Sequence, residues 1–141
     1  MEGHEDQEEQ EKVILLDTNA LIWLSYEPDK LSRAAASAIR RAKIGGGTAI
    51  AAISLWELAW IITHGSLKIS STVEAAIEEV SSRFAVRPIT AKIAALASQF
   101  SSDYPRDPCD RLIGATALAE GMVLITSDVR IRECKQLRTL W

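Results

Sequence analysis

The chain reads as an α/β protein, a three-layer α/β/α sandwich around a central, mostly parallel sheet of four to five strands. Three observations predict this. Short continuous apolar runs such as Val13-Ile14-Leu15-Leu16 have the composition of strands buried on both faces. Stretches of helical periodicity separate these runs. The connections are short, so helices carry the chain between parallel strands. A length of 141 residues fits one domain, large enough to bury a core without staples.

The elements follow in order. The first strand covers 13–16, and a helix begins near Asn19 and is interrupted near Pro28. The Ala-rich stretch 31–44 is helical, with Arg33, Arg40 and Lys43 near one face. Gly45-Gly46-Gly47 is a flexible turn, and no GK[ST] follows it to make a phosphate loop. Thr48 opens a second buried strand, 48–53, and helices fit 54–64 and 72–83. A third strand, 84–87, ends at Pro88. Thr90 caps a helix to about Phe100, and the next runs from Pro108 to a stop at Gly121. A fourth strand covers 122–126, a short helix follows Asp128, and 138–141 is an edge strand.

Composition excludes several classes. Cys109 and Cys134 are too few for a disulfide framework and read as free thiols of a reducing cytoplasm. No apolar run reaches the roughly 20 residues of a membrane span, and the N-terminus lacks a signal-peptide pattern. Charge is unevenly placed. Residues 1–12 hold six acids and one lysine and read as a disordered acidic tail. The domain proper, 13–141, holds 13 acids and 15 Lys or Arg, a positive excess that suits a polyanionic partner.

Four acids lie where such a sheet gathers its functional groups, beyond strand ends or in first helical turns. Asp17 ends the first strand, Glu57 follows the second, Asp110 starts the helix after Pro108, and Asp128 follows the fourth. Taken singly, most are explained as well by capping. Ser54-x-x-Glu57 is a capping box with Ile53 and Leu58 as its staple, and Asp107 is an N-cap ahead of Pro108. Asp17 has no such duty, because Thr18 or Asn19 can cap the next helix. Taken together, four close carboxylates need a cation. An all-oxygen set favours Mg²⁺ or Mn²⁺, which activates water against a phosphodiester.

Other nucleophile systems fit poorly. His4 lies in the acidic segment and His64 reads as a helix C-cap. The chain has no G-x-S-x-G elbow. Cys109 reads as helix packing. Trp23, Trp56 and Trp60 read as core, and Trp141 as a terminal plug.

With these motifs in order, residues 13–141 resemble the PIN-domain nucleases, specifically the VapC toxins of type II toxin–antitoxin pairs. The resemblance rests on LLDTNALIWL at 15–24, AISLWELAW at 52–60, RDPCDRLIGATALAEG at 106–121 and LITSDVRIREC at 124–134. It implies Mg²⁺-dependent endoribonuclease activity, frequent homodimerisation and inhibition by a cognate antitoxin. Asp17, Glu57, Asp110 and Asp128 match the family's acidic positions. Cys109, Gly114 and the acidic N-terminal segment depart from its pattern and remove no acid.

The expected activity is hydrolysis of RNA by metal-activated water, leaving a 5′-phosphate. Asp17 and Asp110 are the central ligands, and Glu57 and Asp128 complete the pocket. Thr18, Asn19, Asp107 and Ser127 orient ligands or phosphate, and Arg111, Arg40 and Lys43 are phosphate contacts. Three rivals stand beside this reading. A phosphorelay receiver needs paired acids after the first strand, but Leu16 precedes Asp17. A non-catalytic module would have lost an acid. A PIN-fold nuclease acting on DNA or in RNA processing is barely separable by sequence.

Overall fold

The computed structural model describes residues 13–45 and 47–141. The acidic segment 1–12 and Gly46 of the glycine turn lie outside the described residues.

Five parallel strands form one sheet, in the order β3-β2-β1-β4-β5. They are β1 (Ile14–Leu16), β2 (Thr48–Ala51), β3 (Ala85–Arg87), β4 (Val123–Ile125) and β5 (Thr139–Leu140). Leu16 pairs with Ile50 on one side and with Ile125 on the other. Helices α1 (Thr18–Tyr26), α2 (Arg33–Ile44), α3 (Ala52–Thr63) and α4 (Val73–Arg83) connect the first three strands, with a 3₁₀ turn at Pro28–Lys30. Helices α5 (Ala91–Gln99) and α6 (Pro108–Glu120) carry the chain from β3 across to β4, and α7 (Val129–Arg132) precedes β5.

Alternation along the strands divides the core between two faces. Leu16, Ile50 and Ile125 pack with Leu21, Ile39, Leu58 and Val80 from α1 to α4. Their neighbours Leu15, Ala49 and Leu124 face the other way, onto Ile93 and Ile113 of α5 and α6. Both faces are therefore apolar, which is why the strands read as continuous hydrophobic runs.

The crossover from β3 to β4 reverses the direction in which strands are added. The sheet therefore has a topological switch point between β1 and β4, where α/β sheets place their ligand crevices.

One boundary differs from expectation. The second strand stops at Ala51, and Ile53 is already helical. Ala51 caps α3 without a side-chain bond, so the Ser54–Glu57 capping box and its staple do not form. Ser54 instead lies fully buried inside the helix, its hydroxyl 3.0 Å from that of Thr18. The tertiary contact with α1 outweighed the local capping signal.

Candidate active site

Asp17 leaves β1 with its amide donating to Ile125 O, extending the ladder by one rung. Its carboxylate caps α1, accepting from Ala20 N at 2.8 Å, and is almost wholly buried. Across the switch point, Asp128 caps α7 through Arg130 N and Ile131 N. Thr126 holds that turn, its hydroxyl accepting from Asp128 N. Asp107 caps α6 through Cys109 N and Asp110 N, which places Asp110 in the first turn. Glu57 comes from the second turn of α3. Ligand atoms of Glu57, Asp107 and Cys109 lie within 4.8 Å of one another.

The carboxylates sense each other. Burial raises the pKa of Asp17, with Glu57 and Asp128 adding to the rise while Thr126 and the Ala20 amide oppose it. Glu57 is raised by burial and by Asp107, against a lowering contact from Thr18. Asp110 is pushed up to about 7, first by burial and then by Asp107, Glu57, Asp128 and Asp17. These couplings link Asp110 to Asp107, Glu57, Asp128 and Asp17 through their charges, while the ligand atoms that lie close together among the described residues are those of Glu57, Asp107 and Cys109. Such repulsion is what a bound cation relieves.

Residues 14–137 match the PIN domain family. The chain belongs to that family. It is 38% identical over 130 residues to Ribonuclease VapC22 of Mycobacterium tuberculosis, covering 91% of this chain and 98% of that protein. Among solved structures it is similar to VapBC2 from Rickettsia felis bound to a promoter DNA fragment, at 17% identity and a TM-score of 0.71 over 91% of this chain and 97% of that one. DNA-bound VapBC from Salmonella typhimurium gives 23% identity and a TM-score of 0.66 over 92% of this chain and 96% of that one.

Several PIN-domain residues have roles other than those read from sequence. Asp17 is itself the α1 cap, a duty assigned above to Thr18 or Asn19. Thr18 is buried and braces Ser54, whereas Asn19 is exposed. Arg111 is not free for phosphate. Its guanidinium donates to Ala97 O, Phe100 O and Ser101 O, tying down the end of α5. Arg40 and Lys43 are exposed on α2. Trp56 and Trp60 are not core, with 57% and 48% of their surface accessible, and Trp60 stacks on His64 at 3.7 Å. Trp23 packs against Trp141 as expected of a terminal plug.

Two further residues bear on the site, Cys109 as the packing residue expected and Tyr104 as one the sequence reading left out. Cys109 is buried beside Glu57, and burial with the nearby acids pushes its thiol up to about 11. It is protonated at neutral pH and no nucleophile. Tyr104 donates its hydroxyl to Asp110 O at 2.8 Å and so fixes the start of α6. The only sequence cue for it is a lone tyrosine before the RDPCD motif.

The donor set fits a divalent cation. Glu57 Oε1 is buried with no hydrogen-bond partner among the described residues. An orphan carboxylate oxygen is costly unless a cation satisfies it. Its neighbours are the Asp107 carboxylate, a donor hard cations prefer, and the Cys109 thiol, which stays protonated and adds no charge.

Proposed function

We propose that this PIN-domain protein is an endoribonuclease that hydrolyses RNA phosphodiesters with Mg²⁺ or Mn²⁺, as the toxin of a toxin–antitoxin pair. The carrying observation is the buried, unsatisfied Glu57 Oε1, which lies beside Asp107 and among acids that raise the pKa of Asp110. The 38% identity to a named ribonuclease supports RNA as the substrate.

In this reading Asp17, Asp110, Glu57 and Asp128 hold the cation, which supplies charge stabilisation at the phosphoryl group and lowers the pKa of water. The protein's own groups set the geometry. The cap bond from Ala20 N fixes Asp17, and the Asp107 and Tyr104 contacts fix the helical turn that presents Asp110. In this reading Glu57 or Asp128 also takes the proton of the attacking water. Water would add to phosphorus in line with the departing 3′ oxygen, which takes a proton from solvent as its bond to phosphorus breaks. The products are a 5′-phosphate and a 3′-hydroxyl. In this reading Ser127, between Thr126 and Asp128, orients the scissile phosphate.

The test is incubation of the purified chain with single-stranded RNA and DNA of matched sequence, with EDTA, Mg²⁺ or Mn²⁺, followed by end-group analysis. Metal-dependent RNA fragments with 5′-phosphates are expected. Metal-independent cleavage, or 2′,3′-cyclic phosphate ends, would sink the mechanism. Cleavage of DNA alone would favour the nuclease reading without the RNA substrate.

The toxin role draws on the VapBC neighbours. It implies a cytoplasmic setting, a homodimer and a cognate antitoxin. Among the described residues no helix is long and apolar enough to cross a membrane. Growth arrest on expression, relieved by co-expressing a cognate antitoxin, is the expected phenotype. Sedimentation at tens of micromolar, on the order of weak-interface affinities, should show a dimer.

A further inference from the structure

A second concavity adjoins the acid cluster. It has a volume of about 670 Å³ and lies between the segment after α5 and the α7–β5 turn. That is within the roughly 300–1,000 Å³ of small-molecule sites. Exposed amides and hydroxyls line it, from Gln99, Ser101, Ser102 and Gln136, together with the cations Arg130 and Lys135.

Its position ties it to the acids. Tyr104 lines this groove and donates its hydroxyl to Asp110 O. Arg130 lies two residues past Asp128, and its guanidinium donates to Asp103 O at 3.3 Å. The wall is preformed. Phe100 and Tyr104 stack at 4.2 Å, and Arg111 clamps the carbonyls of Phe100 and Ser101. A groove built on such anchors loses little freedom when it binds.

Its chemistry narrows the occupant. Asp103 and Glu133 also line it, so the two cations are balanced by two acids. A balanced lining gives little general attraction to a bare anion. Amides and hydroxyls that donate and accept match the edge of an unpaired nucleobase, as in single-stranded RNA recognition. The two cations beside them, Arg130 held at Asp103 O and exposed Lys135, suit the adjoining phosphate.

We propose that this groove binds a nucleotide of the RNA flanking the scissile phosphodiester, Gln99, Gln136 and the two serines reading its base and Arg130 and Lys135 holding its phosphate. The proposal rests on the ribonuclease reading above. It makes the groove, separate from the carboxylates, a determinant of which sequence is cut.

The test compares the full chain with Arg130→Gln/Lys135→Gln, with Gln99→Ala/Gln136→Ala and with Lys68→Gln as a cation control between α3 and α4. Affinity for a short fluorescein-labelled single-stranded RNA is measured by anisotropy in EDTA across salt. KM and kcat are measured with Mg²⁺. The double cation variant should lower the salt slope by about 0.7, the value for one phosphate of a single strand. It should raise KM several-fold with kcat kept. The amide variant should leave the salt slope alone and change the preferred cleavage sequence. Cys134, partly exposed on the same wall, reports occupancy directly. RNA should slow its alkylation by N-ethylmaleimide several-fold, while buried Cys109 stays unreactive. If RNA is cleaved but slope, KM, sequence preference and Cys134 reactivity are unchanged, the groove proposal is overturned and the ribonuclease reading stands. If no RNA is cleaved, both fall.

Discussion

At the residue scale, Asp17 shows how one side chain serves fold and chemistry together. Its carboxylate caps α1 and also faces the charges of Glu57 and Asp128. Asparagine is an equally good N-cap, so Asp17→Asn separates the two duties. Folding should survive, and RNA cleavage should fall by about 10²-fold or more, the loss seen when a preorganised charge-stabilising group is removed. Cleavage retained within a few-fold would leave Asp17 as a cap and nothing else. Gly114 is a second informative residue. A Cβ there would collide with the Tyr104 hydroxyl and stand 2.9 Å from Tyr104 Cζ and 3.5 Å from Leu137 Cδ1. Gly114→Ala should destabilise the protein by about 1–3 kcal/mol, as overpacking does. It should also lower kcat, because the displaced ring is the one bonded to Asp110 O. A denaturant melt and a cleavage assay on the same preparation check both parts.

At the scale of elements, Arg111 decides between two kinds of cation. Its three carbonyl acceptors belong to the end of α5 and the residues after it, where unpaired C=O groups accumulate. Arg111→Gln should therefore cost about 1–3 kcal/mol of stability, as for hydrogen bonds to a charged group. The salt slope of RNA binding should not move. A fall in that slope would restore the phosphate contact read from sequence. Thr18→Val should cost a similar about 1–3 kcal/mol by orphaning buried Ser54. Legibility follows the same division. Asp107-Pro108 and Gly121 marked α6 correctly, because capping chemistry is local and φ at Gly121 is +65°. The central strands β1, β2 and β4 were legible because burial on both faces leaves no polar alternation to confuse the reading. The β2–α3 junction was not, because a partner 36 residues away claims Ser54. Trp56 and Trp60 were misread for a related reason: helical spacing says which residues share a face and not whether anything covers it. Arg111 looked like any surface arginine until α5 was seen to end beneath it.

For the whole molecule, the acid cluster makes stability depend on pH and cation together. Asp110 titrates near 7 in the fold, and Asp17 and Glu57 are also raised, in each case first by burial. Their unfolded values lie near 4. Between those limits the folded chain binds more protons than the unfolded chain, so unfolding free energy falls as pH rises. The contribution of Asp110 is complete below about pH 4 and is lost as pH rises through about 7, and Asp17 and Glu57 act in the same direction. Other groups titrate in this window, so the diagnostic is the contrast with Asp110→Asn, whose melts in EDTA should fall less steeply. Mg²⁺ has the opposite dependence, because it binds the ionised carboxylates and must displace their protons. Its stabilisation follows RT ln(1 + [L]/Kd), with an apparent Kd that tightens as the protons leave. The Mg²⁺-induced rise in Tm should therefore grow across this window in the wild type and shrink in Asp17→Asn and Asp110→Asn. Melts from about pH 5 to 8, bracketing the titration, with EDTA and with millimolar Mg²⁺, measure both slopes. A Mg²⁺ shift that is independent of pH, or equal in wild type and variants, would mean that the cation binds elsewhere and that these acids do not share one site.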